Sequence, residues 1–111
     1  MPHCLVEHSN NLDSDLLVQN VFSAVLGSGL FESDGSDIKV RGMIYGNYLT
    51  GPNRSSFIHV VLKILSGRTP EQKSYLSNVV IDNLVTLNYN EISITVEVVE
   101  IDRDSYGKVV K

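Results

Sequence analysis

The order of apolar patterns along the chain is the feature that most constrains its fold. Segments typical of strands flank a helical stripe, and the same strand–helix–strand order then occurs a second time. Such connections are right-handed, which places both helices on the same face of one sheet. The sequence therefore predicts an α/β (α+β) protomer in which two βαβ halves form one four-stranded sheet with two helices on one face. The predicted strands cover residues 4–6, 38–45, 57–65 and 92–98.

The two predicted helices are marked by their ends and by apolar residues at helical spacing. A polar run over 9–13 precedes the first helix, and a Gly-Ser-Gly run over 27–29 ends it. Before the second helix, Thr69 and Gln72 can form a capping box around Pro70, which suits a first helical turn. The stripes expected to be buried are Leu17, Val18, Val21, Phe22, Val25 and Leu26 in the first helix, and Leu76, Val79, Val80, Leu84 and Leu87 in the second.

The second face of the predicted sheet is partly apolar, because Phe57, Val61 and Leu65 lie on it. The 111 residues suit one domain, 1–111, and the five charged side chains of 101–111 are typical of a C-terminal arm. No further segment is left to cover the second face. We therefore expect another copy of the chain to cover it, so the protein is predicted to be an oligomer rather than a monomer.

Composition narrows the class of protein. The net charge is −4, and the nine Lys and Arg residues are spread along the chain, so nucleic acid is not an expected partner. No segment approaches the roughly 20 apolar residues that span a membrane, and the N-terminus lacks the pattern of a signal peptide. Cytoplasmic location is the resulting expectation. The single cysteine, Cys4, lies in an apolar run and is expected to be buried rather than reactive.

Three groups of residues carry a resemblance that extends over most of the chain. The groups are Met1-Pro2-His3 with Val6-Glu7, Ser9 and Asn11; Phe57-Ile58-His59-Val60 with Leu62-Lys63-Ile64; and Gly67-Arg68-Thr69-Pro70-Glu71. With them, the chain resembles the 5-carboxymethyl-2-hydroxymuconate Δ-isomerase family of the tautomerase superfamily. The resemblance implies a tautomerase-like protomer that forms a homotrimer, with active sites near the subunit contacts. It also implies an enzyme that interconverts keto and enol groups, ketonising a carboxylated 2-hydroxymuconate in bacterial catabolism of the aromatic compound homoprotocatechuate, without metal or organic cofactor.

The resemblance also implies which residues act. The family's catalytic N-terminal proline corresponds to Pro2, and its carboxylate-binding arginines correspond to the strand that holds Lys39 and Arg41 and to Arg68. At Lys39 the sequence departs from some relatives, which have arginine there. Lysine offers a point charge rather than a planar fork, so the expected grip on a carboxylate differs at this position.

The chemistry suits an N-terminal proline, which is a secondary amine on a rigid ring. An α-amino group has a pKa of roughly 8, and lowering it by one unit leaves mostly free base at neutral pH. Burial and nearby cations lower such a pKa. All of this requires that Met1 is removed, since Pro2 otherwise has an amide nitrogen without basicity. Arginine can then bind each substrate carboxylate through two parallel hydrogen bonds.

Other interpretations stay open at this point. The substrate can be a different small 2-hydroxydienoate, as Lys39 suggests, or the chain can be a non-enzymatic oligomeric binding module with the same fold. His59, between apolar neighbours, is expected to be a structural polar residue, and Glu7 is expected to form a structural hydrogen bond or ion pair. The histidines and Cys4 show no spacing typical of a zinc site.

Overall fold

Both predicted strand–helix–strand units are present in the computed structural model, which describes residues 1–111. The elements follow in the order β1 (His3–Ser9), α1 (Ser14–Gly27), β2 (Lys39–Tyr45), β3 (Ser56–Leu65), α2 (Pro70–Val85) and β4 (Ile92–Ile101), and a 3-10 turn over Arg103–Ser105 comes last. No helix is both long enough and apolar enough to cross a membrane.

The four strands form one sheet in the order β2-β1-β3-β4. β1 runs parallel to β2, and β3 runs parallel to β4, so each half of the chain contributes one parallel pair. The halves meet through the antiparallel pairing of β1 with β3, in which Leu5 lies opposite Val61. The predicted fold class is confirmed.

The two helices pack on one face of this sheet and enclose the core. Burial alternates along β1 and β3, so that every second residue faces the helices. The core combines residues of β1, β3 and both helices with Ile38: Cys4, Val6, Leu17, Val21, Ala24, Val25, Ile38, Ile58, Val60, Leu62, Ile64, Leu76, Val80 and Leu84.

The helix ends follow the signals in the sequence. α1 begins after Asp13, whose carboxylate accepts from the Leu16 amide at 3.2 Å. At the start of α2 the Gln72 amide donates to Thr69 Oγ1 at 3.1 Å, and the Thr69 amide donates to the Gln72 side chain at 2.9 Å. The predicted capping box is therefore confirmed.

β1 is longer than its predicted span because polar residues continue it beyond 4–6. His8 is completely buried on the helix side, where Nδ1 lies 2.8 Å from the Ser9 carbonyl oxygen and Nε2 lies 3.0 Å from Ser14 Oγ. Since both ring nitrogens have a partner, the strand can bury this side chain without leaving a polar group unsatisfied.

The other side of the sheet, here called the open face, carries no helix. Leu5, Phe57, Val61 and Leu65 are half-buried on it. The polar side chains among them bond to one another: Tyr45 donates to Glu7 at 2.8 Å, and His59 contacts Thr95 Oγ1 at 2.7 Å and Glu97 Oε2 at 2.6 Å. His59 and Glu7 therefore have the structural contacts expected of them.

Candidate active site at the N-terminus

A cavity of about 330 Å³ lies where the chain begins. Its wall combines the N-terminus with the loop after α1, the end of β3, the turn before α2 and the 3-10 turn after β4. The lining residues are Met1, Leu30, Phe31, Glu32, Ser33, Asp37, Ile64, Leu65, Arg68 and Arg103. Its volume is in the range of pockets that hold small molecules.

The terminal amine is held at the wall of this cavity. The Met1 amine donates to the Asp37 carbonyl oxygen and lies 4.0 Å from Asp37 Oδ2. Burial lowers the pKa of this amine, the charge of Lys39 lowers it further, and Asp37 opposes both effects. Pro2 is buried, and its carbonyl oxygen accepts from the Lys39 amide at 3.0 Å.

Arg68 lines the same cavity as the N-terminus. One guanidinium nitrogen, Nη2, donates to the Leu30 carbonyl oxygen, and the guanidinium carbon lies 5.2 Å from the centre of the Phe31 ring. No carboxylate pairs with Arg68. These contacts orient the guanidinium while leaving it without a negatively charged partner, as a site for an anion requires.

Lys39 and Arg41 lie on the open face and do not line the cavity. Arg41 Nη1 is 3.2 Å from His3 Nδ1, and His3 Nε2 is 2.9 Å from the Tyr106 hydroxyl. Because a guanidinium only donates, Nδ1 of His3 is the acceptor. Burial, followed by Arg41 and Lys39, lowers the pKa of His3, which favours this neutral form. The structure thus places Arg68 in the same cavity as the terminal amine and places Arg41 beside His3 on the open face.

Three residues of the cavity were not anticipated from the sequence. Asp37 lies outside the apolar patterns, although it contacts the terminal amine. Phe31 follows the glycine run that ends α1, and only its contact with Arg68 distinguishes it. Arg103 lies in the segment expected to be an arm, and no sequence pattern marks it.

The histidines and the cysteine lie on opposite sides of the sheet. Cys4 and His8 are buried under the helices, whereas His3 and His59 lie on the open face. Burial raises the pKa of the Cys4 thiol to about 12, so the thiol stays protonated. No three side chains of the metal-binding types come together as a candidate site.

Comparison with solved structures shows a common fold. A 5-carboxymethyl-2-hydroxymuconate isomerase from Deinococcus radiodurans R1 has a TM-score of 0.79 and 20% identity, with 99% of this chain and 90% of that chain covered. A 5-carboxymethyl-2-hydroxymuconate delta-isomerase gives a TM-score of 0.73 and 14% identity, covering 100% and 89%. A fused 4-OT described as a symmetric trimer gives 0.75 and 15%, covering 96% and 93%.

Sequence comparison identifies the family. No curated protein matches the chain. The family model for 5-carboxymethyl-2-hydroxymuconate isomerase, however, matches residues 2–109, which is nearly the whole chain. The protein therefore belongs to the 5-carboxymethyl-2-hydroxymuconate isomerase family, and it is an isomerase with the tautomerase fold.

Proposed function

We propose that this isomerase ketonises a 2-hydroxymuconate-type dienol, 5-carboxymethyl-2-hydroxymuconate, by proton transfer through Pro2 in the catabolism of homoprotocatechuate. The observation that carries the proposal is the position of the chain's terminal amine at a cavity that also contains Arg68. Removal of Met1 makes Pro2 the terminal residue and turns its amide nitrogen into a secondary amine.

The proposed reaction moves one proton without net gain or loss. The neutral Pro2 nitrogen takes the proton of the 2-hydroxyl group, the electrons of that O–H bond form the ketone, and the conjugated double bonds shift. The same nitrogen then returns the proton to a carbon of the dienol. Proton transfer by a positioned base contributes typically about 10²–10⁴-fold to a rate.

The surroundings of the terminal amine support this role. Burial and the charge of Lys39 lower the pKa of the Met1 amine. The same influences on Pro2 would increase the fraction of free base near neutral pH. Arg68 has no carboxylate partner within the chain. It would bind a substrate carboxylate and stabilise the negative charge that develops on the 2-hydroxyl oxygen of the substrate.

The open face supports the further proposal of a homotrimer. Its half-buried apolar side chains lack a covering layer within the chain, and one solved structure of this fold is described as a symmetric trimer. Arg41 and Lys39 lie on the same face. We assign them to substrate binding across a subunit contact, where one copy would complete the site of its neighbour.

Blocking the Pro2 nitrogen tests the proposal. In the protein whose mass confirms that Met1 is absent, we expect steady-state turnover of 5-carboxymethyl-2-hydroxymuconate. An alanine inserted before Pro2 acylates the nitrogen and should lower kcat/KM by about 10²–10⁴-fold. The matched variant Pro2→Ala keeps an amine at this position and should lose less. Equal rates in the insertion variant and the parent protein, with unchanged circular dichroism, would end the proposed role of Pro2 as the base.

Lys39 favours a second candidate, a tautomerase for a different small 2-hydroxydienoate. A lysine binds a carboxylate as a point charge, without the two parallel hydrogen bonds of an arginine. A smaller or less charged dienol can therefore be the preferred substrate. A panel of enols with one, two or three carboxylates separates the two candidates by their kcat/KM values. Highest kcat/KM for the tricarboxylate supports the first candidate, and highest kcat/KM for a simpler dienol supports the second.

A further inference from the structure

Arg103 reaches the cavity from the end of the chain. It begins the 3-10 turn that follows β4, and it lines the cavity together with Met1 and Arg68. Its Nε and Nη2 both donate to the Ser66 carbonyl oxygen, at 3.1 and 3.0 Å, and its own amide lies 3.4 Å from Ser66 Oγ. Ser66 is in turn anchored, because its amide donates to the Ile101 carbonyl oxygen at 3.0 Å. The guanidinium is therefore held against the turn that leads into α2.

The guanidinium of Arg103 keeps unused donors in this position. A guanidinium has five N–H groups, and the contacts with Ser66 use one on Nε and one on Nη2. Both N–H groups of Nη1 and one of Nη2 have no partner within the chain. They can donate to a carboxylate in the two-bond arrangement that arginine favours.

The acidic residues of the cavity do not neutralise Arg103. Asp37 Oδ2 accepts from the Glu32 amide at 3.4 Å, and its nearest cation is the Met1 amine at 4.0 Å rather than an arginine. Glu32 is exposed, and neither carboxylate lies within ion-pair distance of Arg68 or Arg103. The cavity thus contains two arginines that are anchored by backbone carbonyl groups and lack negatively charged partners.

We infer that Arg103 is a specificity-determining residue that binds a second carboxylate of the substrate while Arg68 binds the first. The inference rests on the proposed function, and it excludes dienols with a single carboxylate from the second candidate class. Both arginines line the cavity that also contains the terminal amine, so a dicarboxylate held between them would share this cavity with the proposed base. A substrate with one carboxylate would occupy only one of the two arginines.

Substrates that differ in carboxylate number test this inference. We expect the parent protein to have a higher kcat/KM for 2-hydroxymuconate, with two carboxylates, than for 2-hydroxypenta-2,4-dienoate, with one. Arg103→Gln, which can still donate to Ser66, should lower the ratio of these two values by about 10- to 100-fold, mainly through KM. Lys111→Gln removes the same charge from the same tail and should leave the ratio unchanged. An unchanged ratio in Arg103→Gln, or equal losses for both substrates, would overturn the inference.

A binding measurement separates this inference from the proposed reaction. Adipate and hexanoate have the same number of carbons but two carboxylates and one, respectively, and neither can be ketonised. In titrations followed by NMR, the parent protein should prefer adipate, and Arg103→Gln should lose this preference. That result with no dienol turnover would contradict the proposed function while supporting the carboxylate site. An equal preference for adipate in both proteins would contradict the site.

Discussion

At the scale of single residues, processing at the N-terminus decides which residue carries the terminal amine. Met1 supplies a primary amine at the cavity wall and leaves Pro2 with an amide nitrogen. Loss of Met1 gives Pro2 the amine while the fold around it stays anchored, because the Pro2 carbonyl oxygen bonds to the Lys39 amide at the edge of β2. The proposed base is therefore held by strand pairing rather than by side-chain contacts alone.

The charge of Lys39 predicts the pH dependence of the reaction. The proposed base is the neutral Pro2 amine, so kcat/KM should be lost as the pH falls through the pKa of that amine. Burial and the charge of Lys39 lower the pKa of the Met1 amine, and Asp37 raises it. We expect the same two charges to act on the Pro2 amine after Met1 is removed. Lys39→Gln should therefore shift the acidic limb of the pH profile to higher pH, and Asp37→Asn should shift it to lower pH.

The pH profiles of kcat/KM for the parent protein and both variants check this prediction. Lys111→Gln is the control, because Lys111 is not among the charges that act on the amine. The direction of each shift is diagnostic even if Lys39 also contacts substrate, since a lost contact lowers the whole profile. Shifts in the same direction for Lys39→Gln and Asp37→Asn would argue against a titrating terminal amine.

At the scale of elements, close packing between β2 and the start of α1 positions the strand that carries Lys39 and Arg41. An ideal Cβ at Gly42 would lie 2.5 Å from Ser14 Oγ and 3.3 Å from Val18 Cγ2. Ser14 is the first residue of α1, and its hydroxyl also contacts the buried His8 ring. A glycine is thus required for α1 to lie this close to the sheet.

We expect Gly42→Ala to lower the free energy of unfolding by about 1–3 kcal/mol, because the added methyl group must displace Ser14 from His8. Gly27→Ala is the matched control. An ideal Cβ at Gly27 has no atom within 4 Å, and this helical glycine lacks a positive φ. Its replacement should stabilise α1 by at most about 1 kcal/mol. Urea unfolding of both variants measures the difference, and equal stability would contradict the packing argument.

At the scale of the whole molecule, the two helices cover one face of the sheet, and no element of the chain covers the open face. Side chains of Leu5 and Val61 lie at its centre between the flanking residues Arg41 and Glu97. An apolar centre with polar flanks suits contact with further copies of the chain.

We predict that Val61→Asp prevents assembly of the proposed homotrimer, since a charge would be buried at the proposed subunit contact. Sedimentation should give three times 12.3 kDa for the parent protein and 12.3 kDa for the variant. Val85→Asp introduces the same group on α2, where the side chain is 56% exposed, and should leave the mass unchanged. A monomeric parent protein, or an unaffected mass in Val61→Asp, would argue against assembly through the open face.

The sequence by itself determined the order of the elements, the strand residues that face the helices, and the start of α2. These features depend on near neighbours, namely strand alternation, helical spacing and the Thr69–Gln72 cap. The resemblance to the family was likewise evident from the sequence and was confirmed by the match over 2–109.

Only the tertiary structure decided which cations share the cavity. Arg103 joins Arg68 because β4 pairs with β3 and returns the tail to Ser66, while the pairing of β1 with β2 places Arg41 beside His3. Such contacts arise from the pairing of strands that lie far apart in the sequence, and no local pattern names the pairing partner.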